Sequence, residues 1–422
     1  MYACRPCSSG NGAIFEYMEN KFSIYFMPHS QALLAALKSS NFPETANLLE
    51  NSGAIKLEVS EYEWSQLLDQ LLREKAFDTL LLLLQHNIIE KDIYEYDTFR
   101  ASLFEKILRY RPVDEDFLGF LERFFSELDN INDEVKGQTL FSWALDEGAD
   151  LFFFKALIAA GFDLGQVNSA EQGYLHQVAQ NTRVKPETSM ELAELLLSEG
   201  ADVNAQDIVR KTPLMTALSR NKKALVSLLM EHGADANLPD QTGETPFYYA
   251  VVALLDPQLY EEMRNHQQPD SDIQTRDGVT ILFEYLKRMS NRASENDIRL
   301  LKSLIEDGAD LLQPAIFYGN EKTPLDVSAE KSFEVFKTII DLDRVDVNHA
   351  DDHGDTLLHK VCAYNVNYDQ DMAKDTYRKV KYLLERGANP NVTNNKDQSP
   401  MDLASTDNLK TKTVALLLAH KS

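Results

Sequence analysis

One phrase recurs along this 422-residue chain: a leucine-rich run closed by Gly-Ala-Asp or a near relative. Leu195–Asn204 reads LLLSEGADVN and Leu228–Asn237 reads LLMEHGADAN; Leu304–Asp310 (LIEDGAD) and Leu383–Asn391 (LLERGANPN) follow. A second phrase, Thr-Pro-Leu, keeps step with it at Thr212-Pro213-Leu214, Thr245-Pro246-Phe247, Thr323-Pro324-Leu325 and Ser399-Pro400-Met401. Weaker copies stand at Thr139-Leu140-Phe141, Thr280-Ile281-Leu282 and Thr356-Leu357-Leu358-His359, and Tyr174-Leu175-His176 fills the remaining slot behind Gly173. The anchors at 139, 173, 212, 245, 280, 323, 356 and 399 are spaced on or above 33 residues. Units this short cannot bury an apolar stripe alone. Each must lean on its neighbour, so the register dictates a stack rather than one closed core.

Each position has a physical reading. Threonine at a helix N-cap accepts a backbone N–H, and proline at the first helical position loses nothing, because that N–H has no partner there. Glycine after the second helix takes the left-handed conformation that ends it, and the Asp/Asn cluster beyond suits a tight turn. Both phrases resemble the ankyrin repeat, whose hallmark is Thr-Pro-Leu-His with a trailing Gly-Ala-Asp. The resemblance covers residues 136–422 and implies an all-α ankyrin-repeat solenoid of about eight degenerate repeats. Leu214 and Leu384 are expected to be buried between repeats.

The pattern lapses in three places. After Thr245-Pro246-Phe247 the second helix reads poorly, with Asp256-Pro257 and Pro269-Asp270 breaking the run. The repeat from Thr280 ends in an enlarged loop, Leu311–Asn320, and the repeat from Thr356 carries an insertion around Tyr364–Tyr377. Before residue 136 the phrases are missing. Ser30–Leu49, Trp64–Gln85, and Phe99–Leu108 with Phe117–Leu128 still have the lengths and apolar spacing of helix pairs. The expected division is an irregular segment 1–28, a helical cap of degenerate pairs 29–135 and the repeats 136–422.

Composition narrows the function. Asp and Glu outnumber Lys and Arg by 67 to 42, a formal charge of −25 that repels phosphate backbones and anionic lipid, so nucleic acid and membranes are not expected as partners. Three cysteines, Cys4, Cys7 and Cys362, are too few for a disulfide framework and suit a reducing compartment. The first residues lack the apolar run of a cleavable signal, and no stretch is long enough to span a bilayer. A cytoplasmic protein is expected, or one delivered into a host cell without a cleavable signal.

No cofactor or metal is expected. Cys4 and Cys7 lack further ligands at zinc spacing. His176 and His359 sit in the ankyrin histidine slot, where the ring bonds backbone of a neighbouring repeat, and His349 and His353 flank Asp351-Asp352 in a solvated loop. Phosphate loops, nucleophile elbows and His-Glu-x-x-His are absent from the sequence. The expectation is a non-enzymatic protein-protein interaction module, acting as a monomer. The alternative is an enzyme with its catalytic part in residues 1–130 and repeats that select the substrate, although His29 and His86 are the only histidines there.

The resemblance implies contacts from hairpin tips and inner helices on a concave face. The tips carry Asp207, Val209, Arg210, Asp240, Thr242, Phe317, Tyr318, Asp352, His353 and Asn394, and the inner helices Tyr248 and Tyr249 beside Met215 and Thr216. In its irregular repeats and N-terminal cap the chain is also similar to the ankyrin effectors that intracellular bacterial pathogens deliver into host cells, which implies a host protein as partner. Asn204 lies in a segment similar to ankyrin segments hydroxylated on asparagine; the simpler role is a turn residue bonding its own hairpin.

Overall fold

A computed structural model describes residues 29–51, 55–100, 102–290, 292–342, 345–366 and 368–420. The segment 1–28, with Cys4 and Cys7, lies outside them. The described residues gather into two compact units, one up to Ala201 and one from Asp202 onward.

The first unit is a run of helix pairs: α1 (29–38) with α2 (Phe42–Asn51), α3 (Glu61–Arg73) with α4 (Phe77–Gln85), α5 (Leu103–Arg109) with α6 (Glu115–Ser126), α7 (Leu140–Glu147) with α8 (Leu151–Ala159), and α9 (Tyr174–Gln180) with α10 (Pro186–Ser198). The second helices α2, α4, α6, α8 and α10 pack one on the next, while α3 meets α5 and α7 meets α9. Its core is aromatic. Phe77 stacks on Phe120 at 4.9 Å between ring centroids, Phe120 meets Phe124 at 5.6 Å, and Phe124 meets Phe104 at 5.7 Å. The chain of rings continues through Phe99, Trp143, Phe153 and Phe154 to Phe141 and Tyr174.

The second unit repeats the arrangement with α11 (Pro213–Ser219) and α12 (Lys223–Glu231), α13 (Pro246–Tyr248) and α14 (Pro257–His266), α15 (Ile281–Arg288) and α16 (Glu295–Glu306), α17 (Pro324–Ala329) and α18 (Phe333–Asp341), α19 (Leu357–Ala363) and α20 (Gln370–Glu385), and α21 (Pro400–Ala404) and α22 (Thr411–Ala419). The even-numbered helices from α12 to α22 pack in order, as do α15, α17, α19 and α21. The Thr-Pro phrase does what its chemistry requires. Thr212 accepts the Met215 N–H (3.2 Å), Thr245 that of Tyr248 (3.2 Å) and Thr323 that of Asp326 (3.1 Å), each with proline next in line. His359 accepts the Thr356 N–H on Nδ1 (3.1 Å), and its Nε2 lies 3.2 Å from the Gln398 carbonyl in the following repeat. After α10, α12, α16 and α20 a left-handed glycine lets the next alanine N–H reach back to a leucine carbonyl: Ala201 to Leu196, Ala234 to Leu229, Ala309 to Leu304 and Ala388 to Leu383.

Neighbouring repeats are also joined by side chains. Asn204 Nδ2 donates to the Gly233 carbonyl (3.3 Å), and its Oδ1 accepts the Asp235 N–H (2.7 Å). Asn237 repeats the pair with Gln268 O (2.9 Å) and Asp270 N (2.9 Å), and Asn348 with Gly387 O (3.0 Å) and Asn389 N (2.8 Å). Lysines close the open ends of first helices. Lys331 donates to Met289 O beyond α15 (2.8 Å), Lys379 to Ala329 O at the end of α17 (2.8 Å) and Lys410 to Cys362 O in α19 (2.8 Å).

Four expectations change. Asp256-Pro257 starts a helix instead of breaking one: Asp256 accepts the N–H groups of Gln258 and Leu259 (3.1 Å each), and Pro257 takes the first position, where it costs no bond. The extra length before it is absorbed by a π-helical turn, Tyr249–Ala253. The insertion around Tyr364–Tyr377 largely lengthens α20, which begins after the Asp369 N-cap. The loop 311–320 is an ordered hairpin, β1 (Ala315–Phe317) paired antiparallel with β2 (Asn320–Lys322). Leu214 is fully buried as expected, but at the end of α20 the helix turns Leu383 inward and leaves Leu384 half-buried.

Candidate protein-binding surface at the repeat tips

In the second unit four of the loops between repeats are built around an Asx side chain. Asp207 Oδ1 accepts the N–H groups of Val209 (3.0 Å) and Lys211 (2.8 Å), and Asp240 Oδ1 those of Thr242 (2.8 Å) and Glu244 (3.1 Å). Asp351 holds His353 and Asp355 (2.9 Å each), and Asn394 holds Lys396 and Gln398 (3.0 Å each). A residue of positive φ completes each tip: Arg210, Gly243, Gly354 and Asp397. At Gly243 a Cβ would lie 2.7 Å from the Gln274 carbonyl oxygen, so both conformation and close approach demand glycine.

This construction sorts the residues singled out from sequence. Asp207, Asp240 and Asn394 are buried, so they shape the tips rather than present themselves to a partner. Tyr249 is buried too; its hydroxyl donates to Asp240 Oδ2 (3.2 Å), and the Lys211 ammonium lies 5.3 Å above its ring. Met215 is fully buried, while Thr216 and Tyr248 are half-buried. Burial, with Glu284 and Glu244 beside it, pushes the Tyr248 hydroxyl well above the usual range. Val209, Arg210, Thr242, Asp352 and His353 are exposed. Asn204, the modification candidate, bonds the next repeat and not its own hairpin.

The hairpin stands apart from the other tips. Its turn residues Tyr318 and Gly319 both have positive φ, the twist that a two-residue hairpin favours. Phe317 turns inward and meets Phe283 of α15 edge-on at 6.1 Å, with Lys322 Nζ 5.2 Å from its ring. Ile316 and Tyr318 point outward, 66% and 89% exposed. Between β2 and the tip at 351–355 lies a cleft of about 320 Å³, lined by Leu312, Pro314, Glu321, Asp326, Asp352 and Lys360 among others. Lys360 bridges Asp326 (2.5 Å) and Asp351 (2.9 Å). Burial alone would depress its ammonium, but the two carboxylates outweigh burial and hold it above the usual lysine range.

A second cavity, of about 640 Å³, lies in the first unit between α3 and α5. Four cations line it, and three are engaged: Lys106 with Asp69 (2.6 Å), Arg109 with Glu105 (2.7 Å) and Arg111 with Asp150. Its lining includes neither histidine nor cysteine.

Residues 175–259 match the family model of three ankyrin repeat copies, and residues 353–395 match that of the ankyrin repeat. The chain carries ankyrin repeats. Solved structures similar to it include the ankyrin repeat domain of Bcl-3, at 20% identity over 59% of this chain and 98% of that one, with a TM-score of 0.45. The human ASB11 ankyrin repeat domain overlaps 60% of this chain and 99% of its own at 19% identity and a TM-score of 0.40. A third is the Bd0816 predatory endopeptidase of Bdellovibrio bacteriovorus in complex with immunity protein Bd3460, at 21% identity over 50% and 97%, with a TM-score of 0.37. No curated protein matches the chain.

Ankyrin repeats point to protein partners, and among the described residues no helix is long and apolar enough to cross a membrane. Sequence reasoning left two features of the surface in these ankyrin repeats unread. It did not separate Ile316 from Phe317 in the loop 311–320, where the strand pairing puts 316 on the face opposite to 315 and 317. The cleft had no signal, because it forms between segments about thirty residues apart.

Proposed function

We propose that this chain is a non-enzymatic protein-binding module that holds another protein at the tips of its second unit, with the hairpin β1–β2 and the cleft beside it as the centre of contact. The observation that carries the reading is the outward pair Ile316 and Tyr318. Phe317 already anchors the hairpin, so these side chains add little to the stack, and exposed apolar groups beside a polar-rimmed cleft are what an interface uses. In the first unit, the paired charges around the 640 Å³ cavity favour a structural role for residues 29–130 over a catalytic one. We further propose a host-cell protein as the partner, a reading supported by the irregular repeats from Thr245, Thr280 and Thr356.

The test is capture from a eukaryotic lysate by the chain and by its Ile316→Ser/Tyr318→Ser variant. Proteins retained by the first and lost by the second, with an unchanged melting temperature, support the surface; an unchanged set of captured proteins refutes it. Sedimentation at the mass of one chain is expected. The effector reading requires that a reporter fusion, expressed in an intracellular bacterium, reach the host cytosol, and it fails if the reporter stays with the bacterium.

A further inference from the structure

Neighbouring tips of the second unit are laced by backbone hydrogen bonds. The Gln241 N–H donates to Val209 O (2.9 Å), Arg276 to Thr242 O (2.7 Å) and Asn395 to His353 O (2.9 Å). Between β2 and the tip at 351–355 the cleft takes the place of such a bond. Glu321 and Lys322 line that cleft, so the outer edge of β2 faces into it. The register pairs Phe317 with Asn320 across a two-residue turn, and Ile316 with Glu321 one step further. In an antiparallel hairpin of this kind the first pair exchanges bonds and the second turns its N–H and C=O groups outward. No other backbone bond among the described residues uses those groups of Glu321.

The charges of the cleft have a sign. Four carboxylates line it, Glu321, Asp326, Asp351 and Asp352, against the cations Lys322 and Lys360, with His349 and His353 also facing it. Lys360 is held by Asp326 and Asp351, and Lys322 by Glu330 outside the cleft. Glu321 and Asp352 are exposed, and their carboxylates have no ion-pair partner among the described residues. Leu312, 48% exposed, and Pro314 supply an apolar wall.

We propose that the cleft takes an extended, basic segment of the partner protein, which adds as a strand to the outer edge of β2. Basic side chains of the segment meet Glu321 and Asp352, and the alternate side chains rest on Leu312 and Pro314, the division of labour that strand addition imposes. This rests on the reading of the tips as the binding surface. The volume is at the small end of the roughly 300–1,000 Å³ typical of ligand pockets, which suits the side chains of a short stretch.

The probe is a random peptide library displayed on phage and selected against the full chain. Enriched peptides are expected to carry net positive charge and to lack proline at their centre, since proline cannot donate to the ladder. Their affinity is expected to fall about tenfold or more with Glu321→Lys/Asp352→Lys, at an unchanged melting temperature. An acidic or uncharged pool, an empty selection, or binding indifferent to that double variant overturns the inference. If such an indifferent pool still loses binding with Ile316→Ser/Tyr318→Ser, the tip surface stands and only the basic strand falls. If it ignores both variants, both readings fall.

Discussion

Asn204 shows how one residue joins two repeats. Its amide satisfies a carbonyl and an N–H on the next segment, and Asn237 and Asn348 do the same one and several repeats on. Replacing Asn204 by alanine leaves both partners without their bond and is expected to cost about 1–3 kcal/mol in urea unfolding. Asn391 holds the corresponding place in LERGANPN with an exposed side chain, and its replacement is expected to cost under about 0.5 kcal/mol. Equal losses at the two sites would remove the cross-repeat role. The asparagines were visible in the sequence, but their partners lie between 29 and 41 residues away, where no local pattern reaches.

Lys379 belongs to the same scale. It is 3% exposed, and burial pushes its ammonium down to about 8, against a weaker upward pull from Asp375 and Glu330. Unfolded lysine titrates near about 10.4, so between about pH 8 and that value the unfolded chain keeps a proton that the folded chain has released. Raising the pH through this window therefore favours the folded state, and below it the contribution is flat at its least favourable. The unfolding free energy of the natural chain minus that of Lys379→Met, measured in parallel so that the tyrosines cancel, is expected to rise from pH 8 to about 10. A flat or falling difference would mean that the lysine is not held as described.

Among the elements, the aromatic chain from Phe77 to Tyr174 explains how α4, α5 and α6 associate with each other and with the repeats that follow without Thr-Pro-Leu. Phe124 touches Phe104, Phe120 and Phe125 and is fully buried. Its replacement by alanine is expected to cost about 3–5 kcal/mol in chemical denaturation, whereas a loss under about 1 kcal/mol would mean that the rings are not a core. The helices themselves were legible from spacing at Phe99–Leu108 and Phe117–Leu128, but periodicity reports which face is apolar and not which rings meet. Asp256-Pro257 is the counterexample of the opposite kind. The dipeptide ends a helix when it falls inside one and starts a helix when a turn precedes it, and the sequence alone does not say where the π-helical turn leaves the chain. The hairpin was legible as a departure from register but not as strands, since three residues a side are too few to show alternation.

For the whole molecule the governing quantity is the charge of −25. Many ion pairs are exposed, such as Lys38–Glu63 and Arg123–Asp78, and pairs of that kind contribute little. Self-repulsion among the surplus carboxylates is expected to outweigh them, and dissolved salt screens it. The melting temperature is expected to rise between about 10 mM and 0.5 M sodium chloride, and a fall would show that the ion pairs dominate. The same surplus was the plainest statement in the composition, and the repeat register the plainest in the order of residues. Together they made the ankyrin stack readable, and they left the cleft beside β2 unread because it is a property of the gap between two repeats.

The lysines that close α15, α17 and α19 all come from later in the chain. On the ribosome this sets a direction of completion. When α17 emerges its last carbonyl, that of Ala329, is open, and it stays so until Lys379 has been synthesised about fifty residues later. The repeats of α15, α17 and α19 are therefore each finished by the repeat that follows, and over this stretch the growing chain carries an unfinished end behind the point of synthesis. A pause in translation within α20 would leave α17 formed but unsealed, so the tempo of synthesis, and not only the final set of contacts, bears on how this stack assembles.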